Sequence, residues 1–254
     1  MKKLLIIVVF LLASVSLFAV QYEVPMLDMT VPSGLTANQM YVNFGHKLLQ
    51  PLNKYPTDNF FAIVKNGASF NLNLRYMIWN GLEIKTGYNT IADEKNVGLS
   101  WVAKAPSQGL SLQADVLYYN YDDRLIRNQM ASNFLYLLSA QSVPLIWDRF
   151  SVAVNAGYDG YFSEFVMGLG VSAMIVDNVT LVGEYYPLAN DIMEKGKIAC
   201  YGFGLRYSTY GHQFMLKFGN STQMEPRELM LGTTTNDMYV GISMMRFVDF
   251  NAEE

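Results

Sequence analysis

The sequence predicts an all-β chain: a single up-and-down antiparallel transmembrane β-barrel of about twelve strands that follows an N-terminal signal peptide. Of its 254 residues, 51% are hydrophobic and only 16% are charged, whereas an average soluble chain carries about 25% charged residues. Beyond the first twenty residues, however, no apolar run approaches the roughly 20 residues that a membrane helix needs. The apolar residues instead alternate with polar ones, which is the period of a β-strand.

The first nineteen residues have the features of a secretory signal. Lys2 and Lys3 are followed by an uncharged stretch up to Phe18 and by the small residue Ala19, which predicts a signal peptide over residues 1–19. Residues 20–38 are then expected to form an N-terminal periplasmic segment, and residues 39–254 the barrel domain. Linkers or composition shifts that would divide residues 39–254 are lacking.

The charge balance argues against a nucleic-acid partner. Removal of Lys2 and Lys3 with the signal peptide reduces the 18 basic groups of the chain to 16, against 22 acidic groups, and phosphate binding requires basic patches. The single cysteine, Cys200, excludes an internal disulfide and cysteine-based zinc spacing. We expect it to be a buried, inert thiol.

The first clear hairpin illustrates how the alternation fixes the register. Apolar residues occupy the even positions of both 70–78 and 82–88, and residues paired across a hairpin share a face. An odd loop length is therefore required. We predict the three-residue loop Trp79-Asn80-Gly81, with Gly81 in the left-handed conformation, and consequently pairs Ile78 with Leu82 and Tyr76 with Ile84.

The same parity rule applies to two later hairpins. It predicts the loop Val176-Asp177-Asn178, with Ile175 opposite Val179. The switch from odd positions in 201–207 to even positions in 214–218 requires an even loop, for which residues 208–211 are suited.

Extending this pattern along the chain gives about twelve strands. Around residues 134–138 both faces are apolar, so that the sixth segment is either a strand or a short helix. The predicted spans are 39–48, 68–78, 82–90, 96–104, 110–119, 131–140, 149–158, 164–175, 179–186, 197–207, 212–218 and 238–247.

The connections between these spans alternate between short and long, as in outer-membrane barrels with short periplasmic turns and longer outer loops. Alternation alone also fits a soluble barrel with an apolar interior. Three features favour an apolar exterior: strands of 9–11 residues, aromatic residues near predicted strand ends, and polar rows with few lysines. Closure into a barrel would pair every backbone polar group in the lipid.

Three stretches resemble small, porin-like outer-membrane β-barrel families of bacteria: residues 178–186, residues 211–218 and the last predicted strand, residues 239–247. The resemblance implies a barrel in the cell outer membrane, in contact with outer-membrane lipid. A terminal strand that ends in an aromatic residue, here Phe247, is similar to the signal that barrel-assembly machinery recognises. That machinery is therefore an expected partner.

The inward face of the predicted barrel carries the candidate functional residues. Arg75 is expected opposite Lys85, with Glu83 diagonal to Arg75, an arrangement that requires a nearby carboxylate. These charges are interpreted either as a constriction that filters solutes or as a salt-bridge network that fills a narrow barrel. Candidate lumen-lining residues are Arg75, Glu83, Lys85, Asp115, Glu164, Glu184, Arg206 and Lys217.

Four inward glycines, Gly168, Gly170, Gly202 and Gly204, either leave room for a solute path or ease the bending of the strands. We favour the second interpretation.

The sequence offers no catalytic constellation, and we expect no catalytic, metal or cofactor site. A membrane-embedded hydrolase would need a serine and a histidine with an orienting partner, but His46 and His212 are predicted at opposite ends of the barrel. The leading hypothesis is a small porin-like channel for small polar solutes. The alternative is a closed structural or adhesive barrel whose long outer loops bind a partner.

Overall fold

The computed structural model describes residues 25–52, 54, 67–91, 93–105, 109–122, 130–142, 149–188, 196–209 and 211–251. The predicted signal peptide, residues 1–19, lies outside these ranges. Within them the chain forms twelve strands and one helix, α1 (Pro226–Met230). The strands are β1 (Gln39–Leu48), β2 (Ala68–Trp79), β3 (Leu82–Asn89), β4 (Glu94–Ala105), β5 (Leu110–Asp122), β6 (Met130–Ser142), β7 (Phe150–Asp159), β8 (Glu164–Val176), β9 (Val179–Tyr186), β10 (Cys200–Thr209), β11 (His212–Gly219) and β12 (Tyr239–Asp249).

The strands form one closed antiparallel barrel in which each strand pairs with its chain neighbours and β1 pairs with β12. Closure leaves no strand edge unpaired, as a barrel in lipid requires. The fold class predicted from the alternation is confirmed. The sixth segment, ambiguous in the sequence, is a strand of 13 residues. Among the described residues, no helix has the length and apolar character needed to span a membrane.

The two ends of the barrel differ in their connections. One end, called here the turn end, carries the short connections 80–81, 177–178 and 210–211; the other, the loop end, carries the long connections 49–67, 187–199 and 220–238. Gln39 pairs with Asp249, so the first and last strands begin and end at the turn end. This asymmetry is typical of outer-membrane barrels, in which the turn end faces the periplasm.

The apolar row of each strand faces outward. Leu99, Leu138 and Phe165 are 53%, 64% and 72% exposed, whereas the neighbouring inward residues Glu83 and Asp115 are 0% and 2% exposed. Buried polar groups inside an exposed apolar surface are the reverse of a soluble barrel. The outward orientation of the apolar face, predicted from strand length and aromatic placement, is therefore confirmed.

Two hairpins contain β-bulges that the parity rule did not foresee. Tyr76 pairs with Ile84 as predicted, but Trp79, not Ile78, pairs with Leu82, and Ile78 is the extra residue of a bulge. Gly81 adopts a φ of 97°. A two-residue turn matches the twist of the flanking strands better than a three-residue loop, and the bulge restores the face of every residue beyond it.

The other two predicted loops are also shorter than expected. Val176 pairs with Val179, and Ile175 is the bulged residue, so the predicted pair Ile175–Val179 is wrong. In the third hairpin Thr209 pairs with His212. The predicted even parity is correct there, but the ladder extends further than the predicted four-residue loop allows.

Two segments occupy the interior of the barrel. Residues 25–35, called here the N-terminal plug, are almost entirely buried, and so is much of residues 220–238, called the loop plug, which contains α1. The periplasmic placement predicted for residues 20–38 thus does not hold for residues 25–35. Met26, Leu27, Met29 and Val31 join a buried apolar cluster with residues of the barrel wall, because exposure of these side chains to water would be costly.

Candidate functional site in the barrel interior

The N-terminal plug enters from the turn end and returns to it. Arg206, near the turn end of β10, donates to the carbonyl oxygen of Pro25. Asp28 reaches Lys47, one residue from the loop end of β1. Gln113, near the turn end of β5, accepts a hydrogen bond of 3.0 Å from the backbone of Ser33. The plug is therefore a re-entrant loop with Asp28 near its apex.

Four of the predicted interior residues form a charge cluster on β2, β3 and β5. Arg75 lies opposite Lys85, as predicted. Arg75 Nε is 2.9 Å from Glu83 Oε1, and Lys85 Nζ is 3.7 Å from the same oxygen and 2.7 Å from Asp115 Oδ1. The two carboxylates offset the repulsion between the two cations.

This charge cluster also holds the returning arm of the N-terminal plug. Arg75 Nη2 donates to the carbonyl oxygen of Val31 at 3.2 Å. Gln113, whose side-chain oxygen holds Ser33, also donates to Asp115. The wall and the plug therefore share one hydrogen-bond network.

Three further predicted residues bind the ascending arm of the plug. Glu184 accepts hydrogen bonds of 2.9 Å from the backbone of both Asp28 and Met29, and one from the Tyr186 hydroxyl. Lys217 Nζ donates to the carbonyl oxygen of Leu27 and lies 2.6 Å from Asp28 Oδ1. Arg206 contacts Pro25 and Thr180. Each of these buried polar groups therefore has its partner on the plug.

Glu164 is the predicted interior residue that the structure does not bring into these networks. It lies at the loop end of β8, opposite Asp159.

The two histidines lie at opposite ends of the barrel on β1 and β11, next to Phe70 and Phe214 respectively. Cys200 is fully buried.

The loop plug is held by Arg227, which is 1% exposed. Its guanidinium lies 2.8 Å from Asp159 and 3.6 Å from Glu94, contacts Glu228, and stacks 4.3 Å from the centre of the Tyr121 ring. Burial alone lowers the pKa of Arg227, but Glu228, Asp159 and Glu94 together raise it above its ordinary value. The guanidinium therefore remains charged.

Glu225 is a second attachment of the loop plug to the barrel mouth. Asn71 on β2 and Asn96 on β4 donate to its two carboxylate oxygens at 2.8 and 3.3 Å. Burial raises the pKa of the Glu225 carboxyl, and the hydrogen bonds from Asn71 and Asn73 partly oppose this effect. Contacts on β2, β4 and β7 mean that the loop plug crosses the mouth.

A cavity of about 110 Å³ remains between the two plugs, enough for roughly three to four water molecules. Its lining includes polar groups of the wall, among them Asn43, Asn73 and Thr86, together with Glu225 of the loop plug and residues 25–31.

Inward glycines provide the space for the N-terminal plug. A methyl group at Gly170 would lie 2.8 Å from Met29 Sδ. One at Gly204 would lie 3.0 Å from Leu27 Cδ2, but closer still to the carbonyl oxygen of Leu216 in the adjacent strand. Gly168 and Gly202 also face plug residues. At Gly168 and Gly170 the space inside the barrel is thus occupied by the chain itself.

Sequence reasoning missed Asp28, Lys47, Glu94, Asp159, Glu225 and Arg227. Lys47 had a usable signal, since it follows Asn43 and Gly45 on the inward row of β1. Asp28 and Arg227 lie in segments without strand periodicity, so that alternation gave no information about them. Within the described ranges, no group of three or more His, Cys, Asp or Glu side chains is placed to hold a metal ion.

Comparison with known proteins identifies the fold and the family. No curated protein matches the chain. A solved structure of the KdgM porin is 11% identical, covers 81% of this chain and 98% of its own, and has a TM-score of 0.52; the same porin in complex with disordered oligogalacturonate has a TM-score of 0.54 at the same identity and coverage. The outer membrane protein Omp33 of Acinetobacter baumannii is 10% identical, with 82% and 97% coverage and a TM-score of 0.46.

At these identities the likeness to porins concerns the fold, which is that of outer-membrane barrels. The family described as "Membrane bound beta barrel domain (DUF5777)" matches residues 28–247, which include the apex of the N-terminal plug and all but the last two residues of β12. The chain therefore belongs to this family of membrane-bound β-barrels.

Proposed function

We propose that the protein is a porin-like channel for small polar solutes that is closed at rest by its two plugs. The observation that carries the proposal is where the buried polar groups of the wall find their partners. Glu184, Lys217 and Arg206 are satisfied by the backbone and side chains of residues 25–29. In a barrel filled only by its own wall, such groups would pair with one another.

Both plugs are attached to the wall without covalent bonds, apart from their chain connections. The N-terminal plug is held by hydrogen bonds, by the ion pairs of Asp28 and by apolar contacts, and the loop plug is held mainly through Arg227 and Glu225. Withdrawal of either segment toward its own end of the barrel would expose polar wall groups to water, which can replace the lost hydrogen bonds.

A polar lumen is also suited to the solute class. Buried wall residues such as Asn71, Gln113, Asn155 and Thr180 offer amide and hydroxyl groups rather than an apolar surface. Pore-lining donors, acceptors and charges determine what passes a channel, so small polar solutes are the expected cargo. Outer-membrane lipid would surround the apolar exterior, and barrel-assembly machinery would insert the chain.

The experiment compares two refolded proteins in a planar lipid bilayer, both starting at residue 20. One is otherwise unaltered, and the second lacks residues 25–34 and carries Arg227→Met. We expect rare, brief current steps from the first protein and sustained, salt-dependent steps from the second. Heat-dependent mobility on gels verifies beforehand that each barrel is folded.

Folded, inserted barrels of the second protein that pass no current would contradict the proposal. That result would favour the closed structural barrel, in which the long connections at the loop end bind a partner.

A further inference from the structure

Two buried lysines face the same point of the lumen across a glycine. Lys47 on β1 and Lys217 on β11 both pair in register with Gly241 on β12, the strand between them. The two lysines are 4% and 2% exposed. Because Gly241 has no side chain, the stem of Lys47 can lie against it: a methyl group at this position would be 3.2 Å from Lys47 Cγ.

The two lysines share the carboxylate of Asp28 at the apex of the N-terminal plug. Asp28 Oδ1 lies 2.6 Å from Lys217 Nζ, and Oδ2 lies 3.5 Å from Lys47 Nζ. In the described part of the chain, Asp28 is the one carboxylate that forms an ion pair with either lysine. The carbonyl oxygens of Leu27 and Gln223, both in the plugs, accept further hydrogen bonds from the lysines.

Removal of the N-terminal plug would therefore take away the carboxylate that the two enclosed ammonium groups share. Uncompensated buried charge is strongly unfavourable. The nearby wall carboxylate, Glu184, would keep its hydrogen bond from Tyr186 but lose the two from the plug backbone, so that one carboxylate would remain against two ammonium groups. The open barrel thus favours an anion from outside at this point.

We infer that Lys47 and Lys217 form a binding site for a carboxylate group, which Asp28 fills at rest and a carboxylate-bearing solute fills in the open channel. The inference rests on the proposed channel function and names its solute class. Since the solute and Asp28 compete for the same lysines, binding of the solute shifts the barrel toward the state in which the plug is displaced.

The test uses chemical rescue of the variant Asp28→Ala by acetate. Hydrogen exchange of the backbone amides of residues 28 and 29, which bond to Glu184, reports whether the plug is seated. Asp28→Ala should speed this exchange by about tenfold or more, as expected for loss of a charged hydrogen bond. Sodium acetate should restore the protection in a saturable manner, whereas acetamide and equal sodium chloride should not.

Matched variants make the rescue specific. Asp177→Asn removes the same charge from a turn residue that is 94% exposed, and it should leave the exchange unchanged with or without acetate. Asp28→Ala combined with Lys217→Met should lose the rescue. If that double variant does not fold, Lys47→Gln with Asp28→Ala serves instead, with a weaker rescue expected.

Equal effects of acetate and chloride on Asp28→Ala would overturn the inference. Planar-bilayer recordings of the variant without residues 25–34 and with Arg227→Met separate this outcome from failure of the channel proposal. Conductance without acetate rescue would support the proposed channel and contradict the proposed carboxylate site. Acetate rescue without conductance would support the carboxylate site and contradict the proposed channel.

Discussion

Arg227 is among the largest fully buried side chains of the described residues, and its charge is balanced by carboxylates of the barrel wall and of its own helix. Asp159 lies at the end of β7 and Glu94 at the start of β4, while Glu228 is its chain neighbour in α1. A single guanidinium is thus the ion-pair partner of two fully buried wall carboxylates, Asp159 and Glu94.

Arg227→Met should therefore lower the free energy of unfolding by about 3–5 kcal/mol, the usual cost of leaving buried carboxylates without their partner. Urea titration in phospholipid vesicles would measure the change. Arg149→Met is the control, because Arg149 is about half exposed and lies 4.0 Å from Asp177; it should cost less than about 1 kcal/mol. Equal small losses at both sites would mean that the loop plug is held by other contacts.

The outward residues allow a prediction about depth in the membrane. Leu99 is 53% exposed near the middle of β4, and Val176 is 55% exposed at the turn end of β8. Leu99→Arg should cost about 2–4 kcal/mol and Val176→Arg about 0–1 kcal/mol, since the cost of a cation in lipid falls toward the interface. Unfolding titrations in vesicles would measure both, and similar costs at the two sites would mean that Leu99 does not lie deeper in the lipid than Val176.

At the scale of elements, the N-terminal plug packs against inward glycines of β8 and β10, the two strands that flank β9. Gly170→Leu should displace Met29 and Met26, at an overpacking cost of about 1–3 kcal/mol. The backbone amides that donate to Glu184 should then exchange faster. Gly183→Leu is the matched control, because Gly183 meets only the outward Val171 side chain at 3.5 Å. Unchanged exchange in Gly170→Leu would show that these glycines do not seat the plug.

The strands themselves could be predicted from the sequence, because successive residues of a strand face the lipid and the barrel interior in turn, and apolar and polar residues therefore alternate. The bounds of β1 and β9 agree with the prediction, and the inward placement of Arg75 opposite Lys85 follows from the same pattern. The bulges at Ile78 and Ile175 could not be foreseen. Parity constrains which face a residue occupies, and a bulge changes the loop length without changing the face.

At the scale of the whole molecule, the alternation of apolar and polar residues could not predict that two segments of the chain fill the barrel. Alternation reports that Glu184 and Lys217 point inward, but their partners Asp28 and Leu27 lie more than 150 positions away in sequence and in a segment without strand periodicity. Polar inward rows are the same for a water-filled lumen and for one filled by peptide. The sequence therefore predicted the candidate lining residues without predicting what they bind.

The placement of the two plugs leads to a prediction about the barrel as a whole. The N-terminal plug rises from the turn end and the loop plug crosses the loop end, so that a solute must pass both in succession. When two obstructions lie in series, the current is limited by the larger one, and removal of one obstruction leaves the other in place. Deletion of residues 25–34 alone, or Arg227→Met alone, should therefore leave the mean current per inserted barrel near that of the unaltered protein.

The two changes together should raise the current far above the sum of the single effects, a non-additivity that a double-mutant cycle measures directly. Planar-bilayer recordings at one voltage and salt concentration supply the four currents. Deletion combined with Arg149→Met is the control and should behave as the deletion alone, because Arg149 lies at the turn end, outside the loop plug. Currents that simply add would mean that the two plugs obstruct separate paths, and the series arrangement would then be wrong.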